Sequence, residues 1–153
     1  MKLIKTPLVV VAISIAVASS SVMAEAPAGR YAIATDSVKD KKTGLTWQRA
    51  VPYTKYNWED ANSYCKTLSL GGFSSGWRLP TAAELETLVD RRVEFPPGPT
   101  IDSAAFPDTP LSAFWTSTPA AGVSNNVWNV DFNHGTSYYE DASRYASRVR
   151  CVR

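Results

Sequence analysis

Few residues in this 153-residue chain have types and spacings that do chemistry, and each has a plainer reading beside it. Cys65 and Cys151 stand 86 positions apart. A zinc site needs closely spaced ligand pairs, and the chain holds a single histidine, so the cysteines read as a disulfide in an oxidising compartment. That histidine, His134, precedes Gly135. A general base needs a partner and a pocket, whereas this setting is that of a solvated turn. The acid pairs Glu59–Asp60 and Glu140–Asp141 suggest glycosidase chemistry only if the carboxylates face each other. Neighbours on a helix do not, and the first pair suits a helix N-terminus. Asn129 and Asp131 share a strand face and offer two oxygens where calcium takes six to eight. No Ser-His-Asp set and no Gly-rich phosphate loop can be assembled. The reading therefore assigns no catalytic residue, no metal and no cofactor.

The remaining chemistry lies in arginine. Arg144, Arg148, Arg150 and Arg153 fall within the last ten residues. Guanidinium groups match planar anions such as sulfate and carboxylate in bidentate fashion. On a strand Arg148 and Arg150 share one face, about 7 Å apart, while Val149 and Cys151 turn inward. Tyr138 or Tyr139, from the preceding strand, could present a flat surface to a sugar ring. The plain alternative is a solvated strand face. The sharper expectation is a weak, salt-sensitive site for a polyanionic glycan, with a surface protein as the other partner class.

These residues must be positioned by the part of the chain that follows its first two dozen positions. Met1-Lys2-Leu3-Ile4-Lys5 is basic, Pro7 to Ala18 is apolar and uncharged, and Ser19 to Ala24 ends on a small residue. That is the layout of a secretory signal peptide over 1–24. The apolar run is shorter than the ~20 residues a spanning helix needs. No cysteine follows it to carry a lipid. We expect an exported protein, periplasmic or extracellular, with no membrane span after cleavage. Lys2 and Lys5 leave with the signal, and the remaining basic residues then equal the 14 acidic ones. A broadly basic, nucleic-acid-type surface is therefore not expected. All 17 aromatics lie beyond the signal, enough for a dense core in one domain.

Residues 25–37 read as a short lead and first strand, with Tyr31–Ala34 extended, and 38–153 as the domain. Val38 to Arg49 has the pattern of a hairpin turning at Lys41–Gly44. Asn57 is an N-cap, Trp58, Ala61, Cys65 and Leu68 share a helix face, and Gly71–Gly72 ends that helix. Thr81 and Glu84 form a capping box for a second helix, whose stripe is Leu85, Leu88 and Val89 and which closes at Arg91–Arg92. Prolines at 96, 97, 99, 107 and 110 forbid helix and central strand through 93–111. Short strands follow at Phe114–Ser117, Val127–Phe132, Thr136–Tyr139 and Arg148–Val152.

Several spaced motifs, in order, resemble a known family. Trp77-Arg78-Leu79-Pro80-Thr81 with Glu84-Leu85 is preceded by Lys42 to Trp47 and by Trp58, Ala61 and Tyr64-Cys65. Phe114 to Ser117, Trp128 to Phe132 and the ending Val149 to Arg153 complete the set. Together they resemble the bacterial family named for the C-terminal domain of the Legionella collagen-like adhesin, from about Val38 to Arg153. Arg78-Leu79-Pro80-Thr81 with Glu84, and Arg150 to Arg153, are more distantly similar to formylglycine-generating enzymes. Both groups relate to the C-type-lectin-like fold. The resemblance thus implies an α+β, C-type-lectin-like domain of two helices with a twisted, mostly antiparallel sheet and long irregular loops. It implies a disulfide from the first helix to the last strand, where Cys65 and Cys151 fall. It also lends weight to sulfated glycans, with which that adhesin is associated.

Within the motif, Arg78 reads as a structural partner of Glu84 or Glu86, or as stacked on Trp77, rather than as a ligand contact. The calcium-binding tripeptides of sugar-binding lectins are absent. The reactive cysteine pair of the formylglycine-generating enzymes is absent too, since only Cys151 lies near the end. The expected protein is an exported, non-catalytic binding module. The rivals are a diverged enzyme on that scaffold and a structural subunit of a surface assembly.

Overall fold

The computed structural model describes residues 27–93 and 98–153. The expected signal peptide and Pro96–Pro97 lie outside the described residues. Among the described residues, two antiparallel three-stranded sheets and two helices make an α+β fold. The first sheet is β1 (Tyr31–Ile33), β2 (Ser37–Asp40) and β3 (Thr46–Gln48), in that spatial order. The hairpin forms as its sequence dictates, with Val38 opposite Trp47 and both fully buried. Gly44 supplies the left-handed residue at φ 77°, and its N–H donates to Asp40 O at 2.8 Å.

Helix α1 (Trp58–Thr67) starts on Asn57, whose Oδ1 accepts from the Asp60 N–H. Ala61 and Cys65 are fully buried, and Trp58 and Leu68 pack beside them, as the 3.6-residue period requires. The helix ends before Gly71–Gly72. Thr67 Oγ1 turns back onto Ser63 O at 3.0 Å, and Leu68 is extended at φ −64°, ψ 129°. The two glycines instead make the turn that pairs Leu70 with Phe73.

Helix α2 (Ala82–Glu86) has the expected capping box. Glu84 N–H donates to Thr81 Oγ1 at 3.2 Å, and Thr81 N–H to Glu84 Oε2 at 2.8 Å. It is one turn long and does not reach Arg91–Arg92. Thr87 Oγ1 bonds Glu84 O at 2.6 Å, and Asp90 N–H leaves the helix for Thr100 O at 2.9 Å. Leu85 and Leu88 are still buried, because the short turns that follow keep them over the core.

The proline-rich stretch packs as a unit where it is described. Asp102 Oδ1 accepts the N–H groups of Ala104 and Ala105, both at 2.9 Å, and Ile101 and Phe106 enter the core. The second sheet is β4 (Ala113–Pro119), β5 (Asn126–Asp131) and β6 (Thr136–Asp141), with β5 central. Asn129 faces Tyr138 and Trp128 faces Tyr139.

The last expected strand is not a ladder of its own. Residues 148–153 run between the two sheets as a staple. Arg148 pairs with Phe114, Val152 with both Trp47 and Arg78, and Gln48 N–H reaches Cys151 O at 2.9 Å. The described residues therefore form two small sheets joined by this segment rather than one continuous sheet. Cys65 and Cys151 are bonded, with Cα atoms 5.5 Å apart, which ties the staple to α1. The core accordingly divides around it. One cluster contains Val38, Trp47, Phe106, Phe114 and Phe132, and the other contains Ala61, Cys65, Trp77, Trp115 and Cys151.

Candidate functional site

The structure separates the residues that the sequence groups together. Arg150 is fully buried, which corrects its expected place on an exposed face. Alternation fails here because sheets lie on both sides of the staple, so Val149, Arg150, Cys151 and Val152 all have no exposure. The Arg150 guanidinium donates from Nη1 to Gln48 O at 2.8 Å and Arg49 O at 2.7 Å, and from Nη2 to Thr109 Oγ1 at 2.8 Å. Phe106 covers it at 4.6 Å. Burial lowers its pKa to about 9, which leaves it cationic at neutral pH.

Arg148 behaves differently. It is half-buried, and its guanidinium lies 4.9 Å from the ring centre of Tyr53, a residue that is 93% exposed. Its Nε and Nη1 have no hydrogen-bond partner among the described residues. Tyr53 is brought there by backbone pairing. Tyr56 N–H donates to Ser147 O at 2.9 Å and Ser147 N–H to Tyr56 O at 3.0 Å, which fastens the 53–56 segment beside 145–148.

A groove of about 330 Å³ runs beside this joint. Lys55, Tyr138, Glu140, Tyr145, Ser147 and Asp131 line it. Tyr138 and Tyr145 are 38% and 50% exposed. Burial pushes Glu140 above its usual range, against the attraction of Lys55. Burial also raises Tyr138, helped by Glu140 and Asp131. Tyr139 points to the opposite face of β6, where it meets Trp128 edge-on at 5.4 Å. Arg144 is exposed in the turn that follows β6, with its N–H on Asp141 O at 3.2 Å.

Of the five expected contacts, Tyr138 lines the groove, Arg148 stands at the adjoining joint, Arg144 is in the turn before Tyr145, Tyr139 is on the other face and Arg150 is in the core. Tyr53, Lys55 and Tyr145 were not singled out from the sequence. Their signal was aromatic residues in irregular polar segments, Pro52 to Tyr56 and Ser143 to Ser147, with no periodicity to bury them.

The Trp77–Glu84 motif joins the staple to α2. Trp77, Leu79 and Pro80 are buried. Arg78 exchanges backbone hydrogen bonds with Val152, both at 2.9 Å, and its guanidinium clasps Glu84 at 2.8 and 2.7 Å. That ion pair holds Glu84 below its ordinary pKa, with the Thr81 N–H also contributing. His134 Nδ1 lies 3.2 Å from Asp131 Oδ2 in the expected turn. Among the described residues no three His, Cys, Asp or Glu side chains converge as a metal site requires.

Residues 36–153 match the family model described as the Lcl C-terminal domain. The chain belongs to that family. A comparison with curated proteins returns no match. The family assignment accords with the motif order from the hairpin to the final Val-Arg-Cys-Val-Arg, and it makes the chain a relative of an adhesin-like surface domain. The disulfide fits export to an oxidising compartment. Among the described residues no helix is long and apolar enough to cross a membrane.

Proposed function

We propose that this Lcl C-terminal domain is an exported, non-catalytic binding module that holds an anionic glycan weakly at the Arg148–Tyr53 joint. The observation that carries the reading is the Arg148 guanidinium over the exposed ring of Tyr53, beside a groove that two further tyrosines line. A guanidinium suits a sulfate or carboxylate acceptor, which here would meet the part of the group that Tyr53 and the chain leave open, since Nε and Nη1 are covered. Tyr53, Tyr138 and Tyr145 add flat, half-apolar surface for sugar rings. The groove proper carries Asp131 and Glu140 against Lys55, so we place the anionic contact at Arg148, next in the chain to the lining residue Ser147, with Arg144 in the neighbouring turn.

The disulfide from α1 to the last segment supports a C-type-lectin-like scaffold, in which such a link is characteristic. Both cysteines are used in that bond, which supports a binding role over thiol-dependent chemistry. The test is retention of the exported protein on immobilised heparin. Retention at low salt, with release as ionic strength rises past the point where exposed charges are screened, is the expected result. Passage through the column at low salt refutes the reading.

A further inference from the structure

A second groove, of about 620 Å³, lies between α1 and the chain after β6. It does not depend on the anionic reading, and its chemistry is different. One wall is a helix stripe: Glu59, Asn62, Ser63 and Lys66 stand at i, i+3, i+4 and i+7, opposite the Ala61–Cys65 core face. The other wall is Asn125 with Ala142 and Ser143. The side chains of Glu59, Asn62, Ser63, Lys66 and Asn125 make no hydrogen bond within the described residues. Trp58 completes the lining, half-buried, with its Nε1–H tied to Thr116 O at 2.8 Å.

The walls are fixed with respect to each other. Ala142 N–H donates to Asn125 O at 2.8 Å, and Trp58 N–H to Ala142 O at 3.4 Å. Asn125 itself sits in the left-handed region at φ 61°, a conformation that favours glycine yet here carries an amide into the groove. An ordinary solvated helix face has no opposing wall. This one has a wall bearing an amide, and a ring whose rotation is blocked.

We infer that this groove binds an uncharged, hydroxyl-rich ligand, a neutral saccharide unit. Amides and hydroxyls can each donate and accept, which suits vicinal sugar hydroxyls. The carboxylate of Glu59 accepts from hydroxyls, and the tryptophan offers an apolar surface to a ring face. Glu59 in the lining is offset by Lys66, and Asp60 lies beside them, so the balance of charge disfavours a polyanion. The domain would then have two unlike sites: a neutral groove on the α1 side and an anionic contact at Arg148.

The test is a backbone-amide NMR titration of the exported protein. The probes are glucose, galactose, mannose and N-acetylglucosamine as methyl glycosides, and neutral trisaccharides of each. At least one probe at about 10 mM should shift the Asn62, Ser63 and Asn125 signals saturably, as millimolar affinity predicts. Raising salt to about 0.5 M should leave that affinity unchanged while it releases the protein from heparin, which separates the two sites. Asn125→Gly keeps the backbone conformation and removes only the amide, and should weaken binding roughly fivefold. Asn62→Ala should do the same, with the remaining spectrum intact. If no probe moves these three signals, if the shifts gather at Tyr138 and Tyr145 instead, or if both variants bind as the parent does, the inference is wrong.

Discussion

Arg148 and Arg150 lie two residues apart in one segment and have opposite fates. Arg150 is fully buried, held by two backbone carbonyls and a threonine hydroxyl, with no carboxylate among the partners found for it. Arg148 is half-buried beside the exposed Tyr53, with two covered nitrogens unpartnered among the described residues. The difference comes from what flanks each position. Arg150 is where the staple passes between the two sheets, whereas Arg148 is where it leaves the edge of β4. A guanidinium inside can serve as a backbone cross-link, because its planar fork reaches several carbonyls at once. The same group nearer the surface is the one proposed to meet a ligand. Residue type does not separate the two roles; the number of covered faces does.

The comparison breaks most sharply at Arg150. Truncation in Arg150→Ala leaves Gln48 O, Arg49 O and Thr109 without their donor and opens a cavity under Phe106 and Phe114. We expect a loss of about 3–5 kcal/mol in denaturant unfolding. Arg150→Met fills most of the volume and removes the desolvated charge, so it should lose clearly less. Equal losses would show that the hydrogen bonds, not the packing, carry the energy. Next in size is the disulfide. Cys65→Ala should cost about 2–5 kcal/mol, read by the same unfolding curves, and thiol labelling of the denatured, unreduced parent should find no free thiol.

What was legible in the sequence follows the same division. The hairpin, both N-caps and the capping box were readable because Asn57, Thr81, Glu84 and Gly44 act on backbone within three or four residues. Helix ends were not. Leu85, Leu88 and Val89 keep a helical period although α2 stops at Glu86, since tertiary contacts with the 98–106 stretch take over. The staple departs from its sequence pattern for a related reason. Its alternation of Arg and apolar residues looks like a half-exposed strand, and nothing local reveals that a second sheet covers the other side. The site was the least legible part. Lys55, Tyr138 and Tyr145 line one groove, and Tyr53 meets Arg148, where the Tyr56–Ser147 pairing joins segments 91 residues apart in sequence.

Arginines that do have carboxylate partners give a smaller effect that pH reveals. For Asp40, burial alone would raise the pKa, but hydrogen bonds from Arg30 and the Lys42 N–H outweigh it and hold the group below its ordinary 3.8. Arg78 first, and the Thr81 N–H after it, hold Glu84 below 4.5. A carboxylate depressed in the folded state adds stability that is fully present above its unfolded value and is lost as pH falls through the folded one. Stability should therefore be level near neutrality and decline below about pH 4. Asp40→Asn and Glu84→Gln should each flatten that decline. At neutral pH Glu84→Ala should cost about 1 kcal/mol, because the pair is partly exposed and the cap is one turn long. An unchanged acid limb in both variants would place the sensitivity elsewhere.

The smallest effect on stability should accompany the largest effect on binding, and that pairing tests the surface half of the comparison. Arg148→Ser removes a cation–π contact to an exposed ring and takes away two covered, unpartnered donors, so unfolding should shift by less than about 1 kcal/mol. Heparin retention should nevertheless fall, and more than it does in Arg144→Ser, since Arg144 stacks on no ring among the described residues and lies in the turn beside Asp141. The pH response gives a second, independent reading. Glu140 lines the adjoining groove with a pKa raised by burial, so it sheds its negative charge on acidification sooner than an ordinary glutamate. Sulfate stays charged throughout. Retention of the parent should therefore strengthen as pH falls through the upper part of the carboxylate range, while the fold is still intact. Glu140→Gln removes that charge at every pH, and should bind at neutrality as the parent does in mild acid, with the pH slope gone. A slope that persists in Glu140→Gln would mean that another acid governs the anion's approach. A variant at Arg148 that elutes with the parent at every salt concentration would remove Arg148 from the site.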